Sequence, residues 1–313
     1  MSHVTTQGFP CFAVAAPGLE PLVQAELEGL AGPFRIAVEA PEAGGVSFRA
    51  DLAGLYAANL HLRIASRVLV RVGAFHASAF HELERRGRRL PWAGFLPPGT
   101  PARFRVTSRK SKLYHQDAVA QRLLTVSGAV PAADREAQEF VVRLFRDECT
   151  VSADASGELL HRRGYRLATA KAPLRETLAA AMLAGAGWNG AVPLLDPMCG
   201  SGTIPIEAAL LARRIPPGLG RGFAFERWPG FDATVWERVR AAARERIASH
   251  AAVPLLGSDR DAGAVAAAAA NAERAGVGHD VVWRRTAISG IEPPAAPGLV
   301  LSNPPYGARV GYF

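Results

Sequence analysis

Residues 193–209 read PLLDPMCGSGTIPIEAA, and their reading decides the fold. The short apolar run Leu194-Leu195 ends on Asp196, Gly200 and Gly202 stand in the following loop, and Thr203 opens a stretch with helical spacing. Glycine lets a backbone turn sharply and lets a ligand approach it closely, so strand, Gly loop and helix read as the start of a nucleotide-type α/β unit. The loop has neither the GxGxxG spacing of a dinucleotide fingerprint nor the Gly-Lys-Ser/Thr of a phosphate-binding P-loop, which disfavours NAD and nucleoside triphosphates.

Outward from this stretch the pattern repeats. PLRETLAAAMLAGAG (173–187) reads as a helix before it, and PLLGSD (254–259) as a second strand after an insertion whose residues 235–247 are helical. DAGAVAAAAANAERAG (261–276) is a helix, DVVWRRTAI (280–288) a third strand and GLVLSNPPYG (298–307) a fourth. This βαβαβ succession predicts a parallel, doubly wound sheet with ligands at the carboxyl ends of its strands. At the second strand end, Asp259 is suited to accept the two hydroxyls of a ribose, and Asp261 to cap the next helix. Glu226 would fit the shorter interval of a simple nucleotide fold, but it sits in a Gly/Pro-rich stretch and ranks below Asp259. Alone, Asp196, Asp259 and Asp261 read better as ordinary turn and cap residues than as ligand contacts. The stiff turn Asn303-Pro304-Pro305-Tyr306, where two prolines fix φ and remove donors, makes them a constellation.

The first half of the chain differs. CFAVAAPGLEPLVQAELEGL (11–30) is a strand and an amphipathic helix; a strand at 46–48, a helix at 51–60 and a strand at 66–73 follow. That alternation predicts a ferredoxin-like α+β layer. A helix near 76–87, a strand at 102–108, a helix at 116–126 and two strands joined by a turn in EFVVRLFRDECTVSADASG (139–157) complete it.

With 313 residues, 49% hydrophobic and 20% charged, the chain can build two or three cored domains. No signal peptide or membrane-length apolar run is evident, so a cytoplasmic, membrane-free protein is expected. Cys11, Cys149 and Cys199 lack the spacing of a disulfide framework or zinc site, and no metal is expected. The net charge of +8 fits an anionic partner. Residues 103–116, RFRVTSRKSKLYHQ, gather Arg103, Arg105, Arg109, Lys110 and Lys112 with no acid, interleaved with Phe104 and Tyr114. They read either as a phosphate-tracking patch or as a solvated face.

DPMCGSG, GSD and NPPYG in this order resemble the S-adenosylmethionine-dependent class I methyltransferases that modify exocyclic amino groups. With APLRETLAA, ALLARRIPPGLGR, FAVAAPGLEPLVQAEL and HRRGYR, nearly the whole chain is similar to the THUMP-containing guanine-N2 RNA methyltransferases, the 23S rRNA (RlmL-like) type above all. The resemblance implies a ferredoxin-like domain over 1–65, a THUMP RNA-binding domain over 66–165 and a Rossmann-like methyltransferase domain over 166–313. It implies catalysis by Asn303, Pro304, Pro305 and Tyr306: the Asn303 side chain and the Pro304 carbonyl hold the target amine, and Tyr306 stacks on an extruded base. It puts S-adenosylmethionine on Asp196, Cys199, Gly200, Gly202 and Asp259, with Thr286 standing where relatives commonly carry an acid near the adenine amine. It makes Arg103, Arg105, Arg109, Lys110 and Lys112 the RNA contacts. The family's sheet has three strands beyond the fourth, so a sheet truncated after strand 4 is expected here, with a tRNA guanine-N2 enzyme or an inactive RNA-binding remnant as the competing readings.

Overall fold

A computed structural model describes residues 8–97, 99–132, 137–167 and 174–305. The chain divides into two compact units: one holds the residues up to Asn59, Ala65–Leu160 and Gly222–Val239, the other Leu60–Ile64, His161–Arg221 and the residues from Arg240 onward. Among the described residues no helix is long and apolar enough to cross a membrane.

The first unit opens with β1 (Phe9–Val14), α1 (Glu20–Ala31), β2 (Ile36–Glu42), β3 (Gly45–Ala50), α2 (Leu52–His61) and β4 (Arg67–His76). Their sheet order β2-β3-β1-β4, antiparallel throughout, is the ferredoxin-like βαββαβ arrangement. The sheet does not stop there. After α3 (Phe80–Gly87) come β5 (Pro101–Arg109), α4 (Gln116–Ser127), β6 (Val130–Pro131), β7 (Gln138–Phe145) and β8 (Glu148–Asp154), and β8 pairs with β4 to give one eight-stranded sheet, β2-β3-β1-β4-β8-β7-β5-β6. The helix expected from residue 76 begins at Phe80, because Gly73 to His76 extend β4 against Val151 to Glu148 and Ser78 turns the chain by bonding Glu82 through its amide and hydroxyl.

Strand β5 alternates: Ala102, Phe104 and Val106 enter the core with Leu83, Val119 and Leu123 of α3 and α4, while Arg103, Arg105 and Thr107 face outward. Full burial of a side chain such as Phe140 contributes about 1.5–3 kcal/mol. At the centre of the sheet Arg67 bonds the buried carboxylates of Glu139, at 2.6 Å, and Asp154. The two acids are not equivalent. Burial alone would raise Glu139, but the guanidinium groups of Arg67, Arg105 and Arg103 outweigh it and hold the carboxyl below its usual range. Burial pushes Asp154 up to about 6 despite Arg67, with the charge of Glu139 adding to the rise.

The second unit contains α5 (Glu176–Gly185), β9 (Leu194–Asp196), α6 (Thr203–Ala212), β10 (Leu255–Asp259), α8 (Ala262–Arg274), β11 (Val281–Arg285) and β12 (Leu299–Val300); α7 (Ala233–Arg244) falls between α6 and β10 in the chain, with its residues up to Val239 in the first unit. Its four strands are parallel in the order β11-β10-β9-β12. The chain steps outward from β9 to β10 and β11, then returns to the opposite side of β9. That reversal is the switch point at which doubly wound sheets open a crevice for ligands. Ala179, Leu183, Ile204, Ala208, Leu255 and Ala272 belong to the core of this unit.

Candidate active site

The carboxyl ends of β9, β10, β11 and β12 bring the expected cofactor residues together. Asp196 ends β9 and is 2% exposed, and its Oδ1 accepts the Met198 amide at 3.1 Å and the Ser302 hydroxyl at 2.7 Å. Burial pushes the Asp196 carboxyl up to about 6; the Ser302 and Met198 donors pull against this, and the charge of Asp259 adds to it. Asp259 ends β10, with Oδ2 accepting the Gly200 amide at 3.0 Å and Oδ1 the Asp261 amide at 3.0 Å. A carboxylate offers about four lone-pair positions, so acceptor capacity for two hydroxyls remains. Asp261 does cap α8, accepting the Ala264 amide at 2.7 Å. Glu226 caps its own short turn by accepting the Phe223 amide at 2.7 Å.

The loop between β9 and α6 depends on its two glycines for different reasons. Gly202 has φ +83°, and a Cβ there would lie 2.7 Å from the Trp283 ring and 2.8 Å from the Ala268 side chain. Gly200 has φ +51°, and a Cβ there would meet nothing within 4 Å. One glycine allows packing; the other leaves the loop backbone approachable. Cys199 donates its amide to the Ser258 carbonyl at 2.8 Å, and burial, reinforced by Asp196 and Asp259, keeps its thiol protonated. Thr286 follows β11, where its amide donates to the Asp259 carbonyl at 3.0 Å, and it lines a cleft of about 280 Å³ with Ser258, Arg284, Arg285 and Glu292.

The Leu301 amide donates to the Leu195 carbonyl at 3.0 Å, which carries Ser302 and Asn303 past the end of β12 beside β9. Asn303 is half-buried, while Pro304 and Pro305 are exposed; Tyr306 lies outside the described residues. The reading of the sequence missed two residues of this site. Ser302 ties the Asn-Pro-Pro turn to Asp196, and Asn271 of α8 donates from Nδ2 to the Ser201 carbonyl at 3.0 Å, bracing the Gly loop from behind. Periodicity alone would have placed Asn271 on the buried face of α8, where an amide needs a partner.

The expected RNA contacts lie in the other unit and are not alike. Arg103 and Arg105 pair with Glu139 Oε2 at 2.6 and 3.1 Å, so the buried acid already uses part of their charge. Arg109, Lys110 and Lys112 are exposed, and none has an ion pair among the described residues.

Residues 163–312 match the RMKL-like methyltransferase domain, and residues 10–69 the RlmL ferredoxin-like domain. The chain is 36% identical, over 96% of its length and 80% of the relative's, to slr0064 of Synechocystis, assigned as an RNA methyltransferase by name only. It is 38% identical to the ribosomal RNA large subunit methyltransferase K/L of Methylococcus capsulatus over 96% of its own length, and spans 42% of that protein. The solved structure of SMU.472 in complex with SAH, 32% identical, superposes with a TM-score of 0.85 over 98% of this chain and 82% of that one.

Proposed function

This chain belongs to the RMKL-like methyltransferase family, which takes S-adenosylmethionine as methyl donor, and on that premise we propose that it methylates the exocyclic N2 of a guanine in large-subunit ribosomal RNA. The observation that carries the proposal is the hydrogen bond from Ser302 to Asp196, since it fixes the turn bearing Asn303 at the mouth of the Gly loop.

The residues present fit the cofactor. The open approach to Gly200 admits a ligand to the loop backbone, Asp259 retains acceptor capacity for ribose hydroxyls, and the carboxylates of Asp196 and Asp259 suit a cationic donor. Bound there, S-adenosylmethionine supplies an electrophilic methyl group. The remaining work falls to the turn. An aromatic amine is a weak nucleophile because its lone pair is delocalised into the ring. In this reading the Asn303 side-chain oxygen and the Pro304 carbonyl accept its two N–H bonds and favour the pyramidal form, which aims the lone pair outward. Proline at 304 has no N–H to compete for those acceptors. Positioning and fixed dipoles therefore lower the barrier, and no strong base is needed because the proton can leave after transfer.

The test is tritiated methyl transfer to ribosomal RNA lacking the modification, with tRNA presented separately, followed by nucleoside analysis of the product. N2-methylguanosine in ribosomal RNA supports the proposal. Label in N6-methyladenosine, or in tRNA alone, would refute the assigned substrate.

A further inference from the structure

The sheet of the first unit has a face turned away from α3 and α4, and one end of that face is basic, aromatic and conformationally strained. Cross-strand register sets Arg109 opposite Phe145 and Thr107 opposite Arg143, with Thr150 and Glu148 next to them on β8. Phe145 is 37% exposed, which is unusual for a phenylalanine within a strand. The guanidinium carbons of Arg146 and Arg143 lie 5.2 and 5.8 Å from its ring centroid. Both arginines are exposed, and Arg71, on β4, has Arg143 close enough for the like charge to add to the depression of its pKa that burial causes. Glu148 is an exposed acid on this rim, while Asp147 is engaged by the Lys112 amide at 2.7 Å.

The turn that presents these groups is held in an unfavourable conformation. Arg146 and Asp147, the two residues joining β7 to β8, have φ +53° and +64°, and Lys110, just beyond β5, has φ +52°. Hairpin turns with both central residues at positive φ ordinarily use Asn-Gly or Asp-Gly. Here neighbouring contacts enforce the shape. The Arg146 amide donates to the Arg109 carbonyl at 3.3 Å, the Asp147 amide to Ser111 Oγ at 2.9 Å, and the Ala77 amide to the Asp147 carbonyl at 2.8 Å. Side-chain-bearing residues kept at positive φ by over-determined contacts cluster at functional sites. The strain brings Arg146 beside Phe145 and joins the β7–β8 turn to the loop carrying Lys110 and Lys112.

We infer that this rim is a platform for unpaired RNA nucleotides, on which Phe145 stacks a base while Arg143 and Arg146 hold the flanking phosphates. Arg109, Lys110 and Lys112 extend the track along the sheet end. The inference deepens the RNA reading above and rests on it. An exposed aromatic between guanidinium groups selects a single strand over a duplex, because only an unstacked base can reach its ring.

The experiment is fluorescence anisotropy on the full chain with a labelled oligouridine of about 12 nucleotides and a duplex RNA of the same length. Phe145→Ala should weaken oligouridine binding about 5- to 150-fold, Phe145→Trp should preserve it, and the duplex should be affected far less. Arg143→Ala and Arg146→Ala should each flatten the log–log salt dependence by about 0.7. Wild-type affinity in Phe145→Ala, an unchanged salt slope in both arginine variants, or a wild-type chain that binds only the duplex would each overturn the inference. Methyl transfer by the same preparation separates the two claims. Transfer without Phe145-dependent binding leaves the methyltransferase reading intact, and Phe145-dependent binding without transfer to guanine leaves only the platform.

Discussion

The Ser302 hydroxyl donates to Asp196 Oδ1 at 2.7 Å across 106 residues of sequence. The bond favours the ionised carboxylate, which burial opposes. If the carboxylate helps hold a cationic cofactor, affinity for S-adenosylmethionine should fall as the pH drops through the Asp196 pKa, about 6. Ser302→Ala removes a stabilising donor and should move that fall to higher pH. Calorimetric titration from about pH 5 to 8 reads the shift; a profile identical to wild type would refute the coupling.

Gly200 and Gly202 should respond differently to alanine. At 202 the new Cβ collides with Trp283 and Ala268, so Gly202→Ala should destabilise the protein by about 1–3 kcal/mol or more in a denaturant titration. At 200 the Cβ enters open space, so Gly200→Ala should cost only about 1 kcal/mol of backbone strain while weakening cofactor binding.

Asn303→Ala should leave the dissociation constant for S-adenosylmethionine near that of wild type and lower kcat by about 100- to 1,000-fold, the cost of losing one preorganised acceptor. Single-turnover kinetics with saturating cofactor checks the split. A variant that loses cofactor affinity and keeps its single-turnover rate would reassign Asn303 to binding.

Arg67→Ala strands two buried carboxylates and should cost about 3–5 kcal/mol of stability. Asp154 has its folded pKa raised to about 6, so the proton it binds in the folded state stabilises the protein below the ordinary carboxylate pKa, and this contribution is lost as the pH rises through 6. Without Arg67 its pKa should rise further. The penalty of the substitution should therefore be smaller at pH 5 than at pH 8, which paired melting curves would show.

Local chemistry made much of this legible in the sequence. The alternation in β5, the Gly128 stop of α4 at φ +72° and the Asp261 cap each follow from one or two neighbouring residues. The order of the strands does not. Nothing in residues 67–76 states that they lie between β1 and β8, since the alternation of side chains tells which face of a strand is buried and not which strands pair with its edges. Ser302 escaped notice for the same reason: beside Asn303 it reads as a turn residue, and its partner is reached only once β12 has docked on β9. Arg103 and Arg105 were legible as cations, but Glu139, on a strand beginning more than 30 residues later, decides how much of their charge is available.

The hairpin joining β7 to β8 also has an evolutionary consequence. Glycine at 146 or 147 would relax a positive φ, so selection for heat resistance alone would enrich it. Each such gain at 146 would erase a guanidinium beside Phe145. A library sorted first for thermal survival and then for retained RNA affinity should therefore divide at this position. The arginine would persist only in the second sort, showing that the chain gives up resilience there to keep its grip.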